Sequence, residues 1–370
     1  MAQTRYIMVG GFLGAGKTTV MLRLGQHLAA RGVRVGLVTN DQSSGLADTT
    51  LLSASGFPVE EITGGCFCCR FNSLTEAAER LTARVMPDVF LAEPVGSCTD
   101  LKATVSYPLR RMYGDNFSVA PFSVLLDPVR ALRVLGLEEG RRFSDKVLYV
   151  YGKQLEEADV LVINKIDTVA PARLAALRTA LRERWPRAGL FEVSAKTGAG
   201  LEPWFAHILA SDDESLANLD IDYDEYADGE ALLGWLNCTA RLSGRTFDGN
   251  AWVARLVEAL QRQLHQRDIE IAHLKMTLTP EHDRDLCVVN AVSTEAPPVI
   301  PFRLQDVIDE GELIINLRAE GDPEILRREA IGALMAQADS SGLAVMVEHI
   351  EHFRPGRPVP THRVVMAGGQ

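Results

Sequence analysis

The stretch Gly11-Phe12-Leu13-Gly14-Ala15-Gly16-Lys17-Thr18 limits what this chain can be more than any other segment does. It follows an apolar run at 6–9 and opens into a helical pattern over 18–30. Strand, glycine-rich loop and helix in that order make a phosphate cradle. The glycines let the loop turn so that successive backbone N–H groups face inward, where they and the helix N-terminus surround the phosphates of a nucleoside triphosphate. Lys17 sets a cation beside the β- and γ-phosphates, and Thr18 offers a hydroxyl to Mg2+. Gly11, Gly14, Ala15, Gly16, Lys17, Thr18 and Thr19 are the expected phosphate-binding residues.

The pattern around the loop agrees with it. Up to residue 210, short apolar runs at 6–9, 33–38, 88–92, 123–126, 159–163 and 190–193 alternate with helical patterns such as 73–85 and 172–185. Continuous apolar strands separated by helices predict a doubly wound, mostly parallel sheet with both faces covered, the P-loop NTPase form of the α/β class. Residues 211–230 hold nine acids and no Lys or Arg, and read as a linker. Beyond it the order changes: strand 232–242, helix 250–265, strands 269–278 and 284–293, strand 312–317 and helix 323–338. That order is close to a split βαβ unit and predicts a smaller α+β, ferredoxin-like domain over 231–370, with an extended Pro- and Arg-rich tail from Phe353.

Charge narrows the partners. The formal net charge is −11, and the nine acids of 211–230 account for all but −2 of it. A nearly neutral remainder carries no signal for nucleic acid or an anionic membrane. Nor does any apolar run reach membrane-spanning length, and the N-terminus enters a strand without a signal-peptide pattern. A cytoplasmic protein is the expectation. Three of the six cysteines fall within four residues, which is not the spread of a disulfide scaffold, and a cytosolic chain keeps them reduced.

The base is indicated by Asn164-Lys165-Ile166-Asp167 at the end of the run 159–163. An ionised carboxylate only accepts hydrogen bonds. Guanine presents two adjacent N–H donors on one edge and adenine does not, so Asp167 selects guanine, and GTP is the expected nucleotide. Ser194-Ala195-Lys196 follows the next strand, where a loop over the base belongs. Asn164, Lys165, Asp167, Ser194, Ala195 and Lys196 complete the expected nucleotide site.

Acids near the γ-phosphate are needed to manage Mg2+ and water. Asp41 follows the second strand, Asp48 lies seven residues on, and Glu93-Pro94-Val95-Gly96 ends the run 88–92. Lys17, Asp41 and Glu93 are the expected catalytic groups, with Gly96 offering its backbone N–H to the γ-phosphate. Between these segments lies Gly64-Gly65-Cys66-Phe67-Cys68-Cys69. In an extended segment Cys66 and Cys68 face one way, and Cys69 joins them through a turn that the glycines allow. Thiolates favour Zn2+, Co2+, Ni2+, Fe2+ or Cu(I). Asp41, Asp48 or, more weakly, Cys98 would supply a fourth ligand. The competing readings are small buried side chains or a reactive thiol. Glu348-His349-Ile350-Glu351-His352 is a weaker ligand set on a helix or loop.

With these motifs in this order, the chain resembles the CobW/HypB/UreG group of P-loop GTPases, and within it the CobW-like branch. The resemblance is carried by GGFLGAGKTT at 10–19, GGCFCC at 64–69, Glu93 with Gly96, Gln154-Leu155-Glu156-Glu157-Ala158-Asp159, and NKID at 164–167. It implies slow, metal-regulated GTP hydrolysis and delivery of a metal to a client protein or cofactor; the expected function is therefore a GTP-hydrolysing metallochaperone, with Zn2+ as the first choice of metal and cobalt next, serving a client metalloprotein or cofactor-assembly enzyme. It implies also that Cys66, Cys68 and Cys69 match the metal motif and Asp41 an acidic residue after the second strand. The family's Asn-Glu-Phe-Gly is Asn40-Asp41-Gln42-Ser43 here, its Glu-Thr-Thr-Gly or Glu-Thr-Ser-Gly is Glu93-Pro94-Val95-Gly96, and the His-rich tract of many relatives is absent. Two other functions fit the motifs: a GTP-gated protein-binding switch with structural or redox cysteines, and a gatekeeper GTPase for a cobalamin enzyme. Dimerisation stays open.

Overall fold

A computed structural model describes residues 3–40, 52, 55–213, 219–281 and 285–364. Asp41 and Asp48, two of the expected ligands, lie outside the described residues. The described residues divide into two compact units, one made of those up to 227 together with 357–364, the other of those between 228 and 356. Residues 357–364, expected as part of an extended surface tail of the second domain, group with the first unit, and the stretch expected as a linker contains most of a helix, Tyr223–Ala231.

The first unit is built on strands β1 (Thr4–Gly11), β2 (Val35–Asn40), β3 (Val59–Ile62), β4 (Val89–Glu93), β5 (Phe117–Val119), β6 (Ser123–Leu126), β7 (Val160–Ile163) and β8 (Gly189–Glu192). They form one sheet in the order β3-β2-β4-β1-β6-β7-β8, with β5 also beside β1. Every pairing is parallel, so helices must return the chain between strands. The central strands β1, β2, β4, β6 and β7 are buried almost throughout, which is why they read as unbroken apolar runs. β3 and β5 escape the sequence reading. β3 is an edge strand with Glu60 and Glu61 at its centre, and β5 has three residues.

The second unit is a six-stranded antiparallel sheet, β9 (Leu233–Phe247), β10 (Glu270–Pro280), β11 (Cys287–Ala291), β12 (Val299–Phe302), β13 (Ile308–Glu320) and β14 (Leu343–Phe353), in the order β12-β11-β10-β13-β9-β14. Helix Gly249–Gln266 follows β9 and helix Pro323–Ser341 follows β13, so the β10-β13-β9-β14 core is ferredoxin-like and β11–β12 extends it. Both helices start on an aspartate whose side chain takes an N–H of the first turn, Asp248 from Ala251 and Asp322 from Glu324, and Pro323 sits at the first helical position. The core interleaves Leu256, Leu260 and Leu264 of one helix and Leu326 and Leu334 of the other with Leu236, Leu274, Ile315 and Leu317 from the strands. β12 carries a proline, and β14 carries Glu348, His349, Glu351 and His352 in its second half; both are sheet edges, where such sequences are tolerated. His349 and His352 therefore lie on a strand, not on the helix or loop expected of them. No helix among the described residues is long and apolar enough to cross a membrane.

Leu260 has no solvent exposure. Leu260→Ala leaves a cavity that a two-helix, one-sheet core closes only in part, and is expected to cost about 2–5 kcal/mol, read as a lower urea midpoint for the second unit.

Candidate nucleotide and metal site

The phosphate loop leaves β1 at Gly11 and enters helix Lys17–Ala29 at Gly16, with φ values of +129° and +95° at those glycines. No side chain caps this helix and no acid lies in its first turn, so the positive end of its dipole is left to the loop. The Lys17 ammonium is buried and donates to the Gly11 carbonyl at 3.0 Å, folded over the loop it serves. The Thr18 hydroxyl donates to Glu93 Oε1 at 3.1 Å. Gly96 packs directly on the loop: a Cβ there would stand 2.9 Å from Lys17 Nζ and 3.0 Å from the Leu13 nitrogen. The structure thus brings Lys17, Thr18, Glu93 and Gly96 to one place from two segments of the chain.

The base loop is tied to the phosphate loop by side chains. Asn164, buried after β7, donates to the Ala15 carbonyl at 2.9 Å and accepts the Ala195 N–H at 3.1 Å. Lys165, in the left-handed region at φ 56°, donates to the Gly14 carbonyl at 2.7 Å and to Asp127 Oδ2 at 2.9 Å. Asp167 is exposed in a short turn and accepts from the Ser194 hydroxyl at 2.6 Å. Arg23 holds the same loop through the carbonyls of Ala195 and Lys196, both at 2.9 Å. Arg23, Asp127 and Arg130 were not read from sequence. Asp127 caps helix Pro128–Val134, and although burial pushes its carboxyl up, Lys165 and Arg130 more than offset this and hold it below the usual range. Arg130 reaches the Leu13 carbonyl and lies over the Phe12 ring. The Asp127-Pro128 pair after an apolar run is the local signal for the cap.

The cysteines depart from the extended geometry expected of them. Residues 66–70 form a turn, with the Cys69 and Arg70 N–H groups both donating to the Cys66 carbonyl at 3.0 and 2.9 Å. The turn, entered through Gly64 and Gly65 with positive φ, gathers all three sulfurs within 4.8 Å of one another. Cys69 Sγ lies 3.3 Å from Cys66 Sγ and 3.6 Å from Cys68 Sγ, and Cys66 and Cys68 are joined as a disulfide where free thiols were expected. Such crowding of sulfurs is the arrangement that suits a soft or borderline cation once the pair is reduced. Cys98 is buried elsewhere and is not part of this group. His352 pairs instead with Glu324 at 2.8 Å.

Asn40 holds the cysteine turn to the sheet. At the end of β2 its amide donates to the Ile62 carbonyl at 3.1 Å and the Gly65 carbonyl at 2.7 Å, and its oxygen accepts the Phe67 N–H at 2.8 Å. The sequence places Asn40 in the stretch that answers to the family's Asn-Glu-Phe-Gly without showing what it holds; its partners lie more than twenty positions away.

The Gln154–Asp159 motif supports the segment that follows Glu93. Gln154 donates to the carbonyls of Gly96 and Cys98 at 3.0 and 2.8 Å. Glu157 accepts from the Thr99 hydroxyl and the Lys102 N–H, and Asp159 pairs with the Lys102 ammonium. Burial, with Asp100 nearby, pushes the Glu157 carboxyl up to about 8. A carboxyl raised in the folded state contributes most below its unfolded value, and the contribution is lost as pH rises through the folded one. Wild-type stability is expected to fall between about pH 5 and 8 on this account. Glu157→Gln keeps the shape without the charge and should flatten that slope, as measured by urea midpoints across the range.

The model of the CobW/HypB/UreG nucleotide-binding domain matches residues 5–191. The chain is 28% identical over 215 residues to the zinc chaperone CobW of Sinorhizobium sp, covering 52% of this chain and 58% of that protein. It is 32% identical over 184 residues to the zinc chaperone YeiR of Escherichia coli (strain K12), covering 49% of this chain and 51% of that one. The chain thus spans little more than half the length of these curated relatives. A crystal structure of Zn(II)-bound YjiA GTPase from E. coli is 15% identical with a TM-score of 0.40, over 90% of this chain and 99% of that one, a likeness too loose to inform the site. The family match covers half of the chain, from within β1 to within β8, and so takes in the phosphate loop, the cysteine turn and Asn164–Asp167 together: the chain belongs to the CobW/HypB/UreG family.

Proposed function

We propose that this protein hydrolyses GTP and uses the nucleotide cycle to hold and release a transition metal at Cys66, Cys68 and Cys69, passing it to a client metalloprotein or cofactor-assembly enzyme. One observation carries the reading. Thr39 on β2 stands in register opposite Glu93 on β4, and the next residue, Asn40, holds the cysteine turn. The Thr18–Glu93 contact and the anchor of the thiols thus sit on neighbouring strand ends, so a change at the γ-phosphate has a short route to the metal ligands.

In this reading Lys17 and the loop N–H groups stabilise charge on the transferring phosphate, and Gly96 approaches the γ-phosphate through its backbone. Thr18 and Glu93 offer hard oxygen donors and fit Mg2+, which supplies charge neutralisation at the phosphates when bound. Asp41, next to Asn40 in sequence, is assigned to water or Mg2+, and Asp48 to the metal. Asp167 selects guanine, with Ser194, Ala195 and Lys196 over the base. The cargo is Zn2+ first, a choice supported by the two zinc-chaperone relatives and by the thiol donors, with cobalt next.

The Cys66–Cys68 bond favours a second reading, in which nucleotide state gates a protein partner and the cysteines sense redox state. A triple Cys→Ser variant separates the two. Metal release under nucleotide control is lost with the thiols in the first reading, whereas partner binding survives without metal in the second.

Two outcomes follow from the first reading. Zn2+ titration of the reduced protein should give affinities that differ by at least about fivefold between GDP and a non-hydrolysable GTP analogue; equal affinities would sink the coupling. Asp167→Ala should weaken GTP binding by about 10- to 100-fold in a direct binding assay, with ATP binding unaffected, because a charge-assisted pair of hydrogen bonds is lost.

A further inference from the structure

Residues 357–364 belong to the first unit, and they lie across the cysteine turn. The Thr361 N–H donates to the Cys68 carbonyl at 2.8 Å and its hydroxyl to the Cys69 carbonyl at 3.0 Å. The Val359 N–H donates to the Cys69 sulfur itself at 3.2 Å. His362 meets the Phe71 ring edge-on at 5.0 Å. The far end is fastened by Arg363, whose Nε donates to Asp100 Oδ2 at 2.7 Å, and by the Val364 N–H, which donates to the Ala103 carbonyl at 2.8 Å. Asp100 is 1% exposed, and its Oδ2 also accepts the Tyr223 hydroxyl at 2.6 Å. This is a shielded ion pair, not a surface one of negligible worth.

The sequence of the segment fits the task. Pro358 and Pro360 flank Val359, hold the backbone extended and have no N–H of their own. Val359 is then the single main-chain donor of residues 358–360, and it is directed at sulfur. Its side chain is 70% exposed, so the residue is held there by its N–H group and not by packing. A stiff extended segment also loses little entropy on docking.

We propose that residues 357–364 form a strap over the thiol cluster and that the Val359 N–H is a positioning contact for Cys69, setting how long the cluster keeps its metal. The proposal rests on the reading of the cysteines as a metal site. A donor to a ligating sulfur fixes its orientation, and loss of such outer contacts typically weakens metal binding by about 10–100-fold. For the cargo to leave by ligand exchange, an incoming donor must reach the cluster, and the strap must first lift from Cys69. Its fastening at Asp100 lies seven residues past Glu93, so it is anchored in the segment that Gln154 and Glu157 support.

The test uses the full chain, reduced and loaded with Zn2+, and times transfer to a chromogenic chelator. Val359→Pro removes the N–H within a segment that Pro358 and Pro360 already hold extended and is expected to release Zn2+ about tenfold faster, while Val359→Ala, which keeps the N–H, matches the wild type. In the Co2+-loaded protein the thiolate charge-transfer band should shift in Val359→Pro and not in Val359→Ala. Equal rates and spectra for those two variants would overturn the proposal. GTP binding reports folding. Should Val359→Pro not fold, Arg363→Ala and Arg363→Lys decide: faster release in the first with recovery in the second upholds the strap, and wild-type rates in both reject it. If the wild type binds neither Zn2+ nor Co2+, the metal reading fails by itself. The strap is then judged by alkylation of Cys69 in reduced, metal-free protein, where a faster rate in Val359→Pro than in Val359→Ala upholds it and equal rates reject it.

Discussion

The register of three parallel strands decides where everything else in the first unit can be. β4 pairs with β1 on one side, Met8 opposite Ala92, and with β2 on the other, Thr39 opposite Glu93. The phosphate loop, Glu93 and Asn40 therefore leave the sheet at one edge, at the carboxyl ends of neighbouring strands about 5 Å apart. A slip of one residue would exchange the two faces of a strand, moving Asn40 and Glu93 out of place and mismatching the side chains packed on both sides. The thiol turn has no sheet of its own. It is placed by the three hydrogen bonds of Asn40, and so by the β2–β4 register.

This explains why the chemistry of the site was more legible in the sequence than its wiring. A phosphate loop declares itself because only glycine accepts the φ values that Gly11 and Gly16 adopt, and because lysine and threonine must follow at fixed spacing. The helix starts at Asp248 and Asp322-Pro323 are legible for the same reason: cap, backbone and neighbour lie within three residues. Asn40, Asp127 and Arg23 act on segments that no local pattern connects to them, and an asparagine at a strand end reads as turn chemistry whatever it holds. The edge strands β3, β12 and β14 were obscured by the charges and proline that keep such edges from pairing further. The cysteine turn shows the limit most clearly. Residue types predicted convergence, but Cys66 to Cys69 converge by an i-to-i+3 turn and not along an extended strand.

The Gln154–Asp159 motif makes physical sense once its partners are known. Residues 94–109 are buried almost completely, and their backbone groups cannot all be met by a strand or helix ladder. Gln154, Glu157 and Asp159 reach in from a single helix and the turn after it to satisfy the carbonyls of Gly96 and Cys98, the N–H of Lys102 and its ammonium. A buried polar network of this kind is stable when every member is met and costly when one is not, so it favours discrete arrangements over gradual ones. With Asp100 beside it, Glu157 is kept from carrying a second buried negative charge over much of the pH range. Asp100 is then left to hold a cation, and Arg363 is that cation.

Three thiols in a four-residue turn have little covalent reason to stay converged, since each side chain can rotate away. What limits them is attachment from both directions along the chain: Asn40 grips the carbonyls and N–H that enter the turn, and residues 359–361 grip the carbonyls and sulfur that leave it. Each attachment leads to an element near the phosphates, Asn40 through β2 and the 357–364 segment through Asp100 and the segment after Glu93. Holding a cation tightly requires both grips together, since ordering the ligands in advance lowers the cost of binding. Giving it up requires only that one of them fail. On the proposed reading of the thiols as a metal site, a cluster fastened at two points suits a cargo that is kept for long periods and surrendered quickly, and a few hydrogen bonds outside the sulfurs decide between the two states.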